Sequence, residues 1–254
     1  MKPAVTRLAL GLAALPLALG LAACGKKDAA APTGEIAEGA PVAAVAPPAG
    51  KTWSDVIVTT PEGGYLMGNP NAPIKLLEFG ALSCSHCAAF SKEGFPKLRD
   101  EYVNSGKVSY ELRLFMLNAL DIPAALLAIC GSPEAVIPLS EQFWDWQPNM
   151  FANLQKAGDA AYKDAAASPP AQRFTKIATM SGMTEFFNAR GIAADKASTC
   201  VTDTAKATAL ANATDKASQD YDVTGTPTFI LNGTKTGVAT WDALEPMIKK
   251  AGAR

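Results

Sequence analysis

"IKLLEFGALSCSHCAAF", residues 74–90, decides the fold. Its first six residues are a short apolar run of the kind that forms a strand buried on both faces. Two cysteines follow, Cys84 and Cys87, separated by Ser85 and His86. Such a pair can be a redox-active dithiol, half of a metal site or a structural crosslink. The next stretch, "AAFSKEGFPKLRDEYVNSG", reads as a helix. Phe90, Phe95, Leu98 and Tyr102 recur at spacings of five, three and four, roughly one helical face. Pro96 should kink that helix, and Gly106 should stop it. "KVSYELRLF", 107–115, is a second strand. A right-handed crossover through the helix makes the two strands parallel.

The chain has 254 residues, 48% of them hydrophobic, enough for one large domain or two small ones. Residues 1–23 are expected to be a secretory signal: Lys2 and Arg7 precede a Leu/Ala run that Pro16 interrupts and small residues close. "LAACG", 21–25, resembles a bacterial lipobox, which implies cleavage before Cys24 and a lipid on its sulfur. Several acyl chains on one cysteine anchor a protein stably to a membrane. Gly25 after that cysteine favours the outer over the inner membrane. Loss of Lys2 and Arg7 leaves 21 basic against 24 acidic residues. That balance carries no electrostatic footprint for nucleic acid. With Cys24 lipidated, four of the five cysteines remain, and an oxidising compartment favours pairing them all. The expected scheme is Cys84–Cys87 and Cys130–Cys200.

Residues 25–50 are rich in Ala, Pro and Gly and read as a flexible tether. Order is expected to begin near Trp53, with "WSDVIVTT" as a short edge strand. "PEGGYLMGNPNAP" reads as turns. From about 119 to 220 the chain reads as helical, broken at "GSPE", "SPP" and "RGI". "TPTFIL", 226–231, is a strand, "NG" at 232–233 a hairpin turn, "KTGVA" its partner strand and "WDALEPMIKKAG" a closing helix.

A strand feeding a Cys-x-x-Cys at a helix start, with a distant β-β-α unit that begins Thr-Pro, is similar to the thioredoxin fold. The long helical insertion resembles the DsbA family of thiol:disulfide oxidoreductases. The resemblance rests on "GNPNAPIKLLEFGALSCSHC" and "GTPTFILNG" and covers about 74–254. It implies an α/β architecture. Residues 51–118 and 221–254 form a thioredoxin-like domain, 119–220 a helical insertion and 24–50 a lipid-anchored tether.

The resemblance also assigns roles. Cys84 is the exposed nucleophile and Cys87 its buried partner. A helix N-terminus favours the Cys84 thiolate, and a positive His86 would favour it further. Thr226-Pro227 is expected in the cis form beside the cysteines, with Gly225 and Thr226 docking a substrate backbone. Glu78, six residues before Cys84, is expected to be a buried acid that trades a proton with Cys87. Its basic partner stays open, with Arg113 a candidate. Cys130–Cys200 is read as structural. Trp144 and Trp146 line either a peptide groove or the core. No cofactor beyond the redox disulfide is expected. A metal site fits poorly, since Cys84, His86 and Cys87 lie too close together to share an ion and the chain has no second histidine.

The expected activity is the donation of disulfides to unfolded exported proteins, with a DsbB-like membrane quinone reductase as reoxidant. The expected place is the periplasmic side of a bacterial envelope, and the expected state a monomer. The alternatives are an isomerase or reductase kept reduced by a membrane donor, and a binding lipoprotein without catalysis. Thr before the proline and Ser85 in place of the more usual proline leave the redox poise open.

Overall fold

Ile74–Gly80 (β3) sits in the middle of the sheet because only Lys75 among its residues faces solvent. In the computed structural model, which describes residues 34–254, it pairs in parallel with Val108–Leu114 (β4), from Ile74 beside Val108 to Gly80 beside Leu114. The other pairings are antiparallel. Ile57–Thr59 (β1) pairs with Tyr65–Gly68 (β2), and β2 with β4. Thr228–Leu231 (β5) pairs with β3 and with Thr234–Lys235 (β6). Among the described residues the order is β1-β2-β4-β3-β5-β6. This is the mixed sheet expected of a thioredoxin-like α/β fold.

The crossover from β3 to β4 breaks where Pro96 stands. Ser85–Glu93 (α1) ends at Gly94, a short turn Phe95–Lys97 (α2) follows, and Leu98–Val103 widens into a π-helical turn. Gly94 is needed because a Cβ there would lie 2.6 Å from Cβ of Trp241. The insertion contributes Asp121–Ala128 (α3), Val136–Ala167 (α4, bent at Gly158), Pro170–Met180 (α5), Met183–Asn188 (α6), Ala194–Val201 (α7) and Thr204–Tyr221 (α8). The Cys130–Cys200 disulfide ties the end of α3 to α7, with Cα atoms 5.8 Å apart. Trp241–Lys250 (α9) closes the chain.

Strand alternation sorts the two faces of the sheet. Leu76, Leu112 and Phe229 join the main core with Phe90 of α1 and Leu244 of α9. Leu77, Phe79 and Ile230 form a smaller cluster with Ala217 and Tyr221 of α8.

Three expectations need correction. Residues 34–50, read as tether, pack onto the domain as an extended arm. Gly39 N–H donates to the Lys250 carbonyl, Val42 N–H to Gly252 and Val45 N–H to Ser105, each at 2.9 Å. Ile36 is buried. Trp53 Nε1 donates to the Val45 carbonyl at 2.7 Å. The composition misled because the arm is held by its backbone, with few apolar anchors. "WSDVIVTT" is only half strand: Trp53–Asp55 is a 3₁₀ turn, and Asp55 accepts from the Thr52 N–H and hydroxyl. The segment read as turns contains β2, a four-residue strand hidden between Gly63-Gly64 and Asn69-Pro70. At the hairpin, Asn232 and Gly233 both take positive φ (50° and 82°), as a tight two-residue turn demands. The signal, the lipobox and Cys24 lie outside the described residues. Among the described residues no helix is long and apolar enough to cross a membrane.

Candidate active site

Cys84 follows β3 after a three-residue turn, 81–83, and caps α1; it is buried rather than exposed as expected, because Thr226 and the turn close over its sulfur. Its backbone is extended (φ −82°, ψ 120°), and its sulfur accepts from the Cys87 N–H at 3.3 Å. That is N-cap geometry, with sulfur in the place of the usual serine or aspartate oxygen. A negative charge there gains from the helix dipole and the unpaired N–H groups of the first turn. The Cys84 thiol is accordingly pulled down to about 5, first by its hydrogen bond with Cys87, against the cost of burial. Contact with Thr226 and the backbone N–H groups of Cys87 and His86 add to the effect.

Cys87 is fully buried, and burial together with its bond to Cys84 and the charge of Glu78 pushes its thiol well up. Both sulfurs are free thiols here, so the chain is in its dithiol state. One cysteine is poised as a thiolate and the other as a thiol. His86 is exposed, and its backbone N–H is among the groups that favour the Cys84 thiolate.

Thr226-Pro227 stands just before β5, which runs antiparallel to β3, so the chain reversal places it against Cys84. The Thr226–Pro227 bond is cis. Cys84 Sγ lies 3.0 Å from the Thr226 carbonyl, to which it donates in its thiol form. Gly225 is half-buried, and its carbonyl accepts from Thr228 Oγ1 at 2.7 Å.

Glu78 is fully buried on the Cys87 side of the sheet. Burial raises its carboxyl to about 8, against the favourable bond that Tyr110 Oη donates at 2.7 Å. Arg113 is not its partner. The parallel register sets Arg113 beside Phe79, on the opposite face. There it binds Glu111 at 2.7 Å and lies over the rings of Phe79 and Tyr221. Glu78 takes a tyrosine where a cation was sought.

The insertion holds the loop that carries Cys84, which the sequence reading did not foresee. Trp144 Nε1 donates to the Ala81 carbonyl at 3.0 Å, which makes Trp144 a core residue rather than a groove wall. Gln147 Nε2 donates to the carbonyls of Leu82 (2.8 Å) and Cys84 (3.1 Å). Buried Asp121 accepts from the N–H and hydroxyl of Ser83, at 2.8 and 2.9 Å. Burial raises its carboxyl to about 6. Gln147 and Asp121 were missed because nothing local distinguishes a loop clamp from an ordinary helix polar residue. Trp146 is half-buried and packs against Phe186 at a tilt of 35°, with ring centroids 4.7 Å apart. A cavity of about 670 Å³ lined by Phe79, Arg113, Leu210 and Tyr221 lies beneath α8, on the face of the sheet away from Glu78. Among the described residues no His, Cys, Asp and Glu cluster could hold a metal ion.

Comparison with known proteins agrees with this arrangement. A family model described as Thioredoxin matches residues 60–250. The crystal structure of a protein-disulfide isomerase from Novosphingobium aromaticivorans is 31% identical with a TM-score of 0.70, covering 73% of this chain and 95% of that one. The alpha-DsbA1 of Wolbachia pipientis shares the fold at 20% identity and a TM-score of 0.60, over 79% of this chain and 96% of that one. A provisionally named protein-disulfide oxidoreductase of Rickettsia felis is 25% identical over 194 residues, 75% of this chain. The match spans about 60% of that relative's own length.

Proposed function

The chain belongs to the thioredoxin family, and from that premise and the chemistry of its paired cysteines we propose that it is a thiol:disulfide oxidoreductase that donates disulfides to exported proteins. One observation carries the reading: Cys84 caps helix α1 and its sulfur accepts the Cys87 N–H, which favours a thiolate, while Cys87, one helical turn away, is fully buried, which favours a thiol. In the oxidised protein a substrate thiolate attacks Cys84 Sγ. The bond from Cys84 to the substrate sulfur forms, and the Cys84–Cys87 bond breaks. The electron pair leaves on Cys87, which takes a proton. A second substrate thiolate then displaces Cys84, whose stabilised thiolate is a good leaving group. The substrate gains a disulfide, and the protein is left as the dithiol seen here. Glu78 gives the proton that buried Cys87 needs; its burial and its electrostatic influence on Cys87 support this role. Gly225 and Thr226 offer backbone for strand-like pairing with a substrate peptide.

Stabilising the Cys84 thiolate stabilises the reduced form, which makes the disulfide an oxidant. That favours the oxidase direction and calls for a reoxidant such as a DsbB-like quinone reductase in the membrane. The alternative, an isomerase or reductase kept reduced, has the similarity to the Novosphingobium isomerase in its favour. The sequence adds a location: a lipid on Cys24 would hold the domain at the periplasmic side of a bacterial membrane. The test is disulfide transfer to a reduced, unfolded protein under limiting oxidant. Wild type should transfer and Cys84→Ser should fall to background. Equal rates for the two would refute a catalytic role for the pair.

A further inference from the structure

Helix α4 carries a buried carboxyl that the chemistry above leaves unused. Glu141 Oε2 accepts from Ser91 Oγ at 2.6 Å, while its Oε1 is buried with no partner. Ser91 stands four residues after Cys87, on the same face of α1. Glu78 repeats the pattern from the other side. Its Oε2 is bonded to Tyr110, and its Oε1 is buried with no partner. That free oxygen lies under α4: a Cβ added at Gly80 would meet it at 3.1 Å and Trp144 Cζ2 at 3.2 Å. Trp144 is three residues after Glu141 and so shares its helix face. Two carboxyls, one from β3 and one from α4, therefore approach the same buried seam beside α1.

The groups that face this seam are Cys84 at the N-cap of α1, Cys87 and Ser91 of α1, Tyr110 of β4 and Arg99 of the π-helical turn. Glu78 has no exposed surface, whereas Glu141 is part-exposed as a residue, on the side of Arg99. Burial lifts Glu141, like Glu78, to about 8, and the Glu141 charge adds to the lift on Glu78. Like charges so placed resist double ionisation, so the pair keeps a proton across the neutral range.

We propose that Glu141 is a positioning residue for the disulfide exchange, the outer of two carboxyls that pass protons between the surface and Glu78, and through Glu78 to Cys87. It rests on the redox role proposed above. As the Cys84–Cys87 bond breaks, Cys87 leaves as thiolate and takes the proton of Glu78. The Glu78 carboxylate regains a proton from Glu141, and Glu141 regains one from water. No electrons move in these transfers, and the protein's own disulfide is the oxidant.

The test uses the full chain and Glu141→Gln, which keeps the side chain's shape and an oxygen for Ser91. Single-turnover transfer from oxidised protein to a reduced peptide is followed against pH. The variant should move the alkaline-side midpoint set by Glu78, above which Glu78 has no proton to give, down by about one pH unit and slow transfer severalfold at neutral pH. Glu141→Asp, which restores a carboxyl, should recover most of the wild-type profile. A Glu141→Gln profile that superimposes on wild type would overturn the proposal. Carboxyl-carbon NMR of the wild-type protein reads the pair without any substitution. Coupled titration of Glu78 and Glu141 is expected, and two independent single-site curves would also overturn it. The NMR arm does not depend on turnover. If wild type transfers no disulfide, the redox reading fails whatever these curves show.

Discussion

The asymmetry of two sulfurs one helical turn apart is the centre of the chemistry. Cys84 accepts N–H groups at a helix start, whereas Cys87 meets the apolar core and a buried acid. The sign of the resulting pH dependence follows directly. An ordinary thiol here would titrate near 9, and the folded protein brings Cys84 to about 5. Between those values the folded dithiol form has released a proton that the unfolded chain keeps, so its stability rises with pH through this window. That stability is lost as pH falls through 5. Melts of the reduced protein between pH 5 and 9 should show this rise in the difference between wild type and Cys84→Ser, which cancels the opposite contribution of buried Glu78 and Glu141. Thiolate absorbance should give the same midpoint near 5. Cys84, Cys87 and Glu78 were legible because their spacing from the strand is local. The partner of Glu78 was not, since a one-residue step along β4 separates Arg113 from the Glu78 face.

The helices of the insertion do more than lengthen the domain. Gln147 of α4 is the hydrogen-bond donor to the Leu82 and Cys84 carbonyls. Gln147→Leu should leave the buried Leu82 carbonyl without its Gln147 donor, while the Cys84 carbonyl keeps the Ala88 N–H, at a cost of about 1–3 kcal/mol. Denaturant unfolding would measure that cost, with a loss of transfer rate beyond it if the loop also loses its shape. The arm at 34–50 belongs to the fold as well. Ile36→Ala should destabilise by about 2 kcal/mol, where a free tether would show no change in melting temperature. The order β-α-β, a helical block and β-β-α could be read from periodicity and turn residues. Residues 34–50 and β2 could not. Each is held by backbone pairing to distant segments, such as Gly39 to Lys250 and Met67 to Tyr110, and leaves only a weak apolar pattern.

Taken whole, the molecule joins a redox sheet to a helical cap whose halves are pinned by Cys130–Cys200, 70 residues apart in sequence. A closed loop of that length is worth about 4 kcal/mol in the chain-entropy model. Replacing both cysteines with alanine should cost roughly that in unfolding experiments and leave Cys84-dependent transfer in place. Loss of transfer in a variant that stays folded would instead make the second disulfide part of the redox path. The central claim is that this architecture stabilises the reduced pair enough to make the oxidised protein a disulfide donor. It is tested most directly by the equilibrium reduction potential of Cys84–Cys87, titrated against glutathione in protein retaining residues 34–254. The account predicts a value near −120 mV, about that of a strong oxidant such as DsbA. A value near −270 mV, about that of thioredoxin, would contradict it and make the chain a reductant.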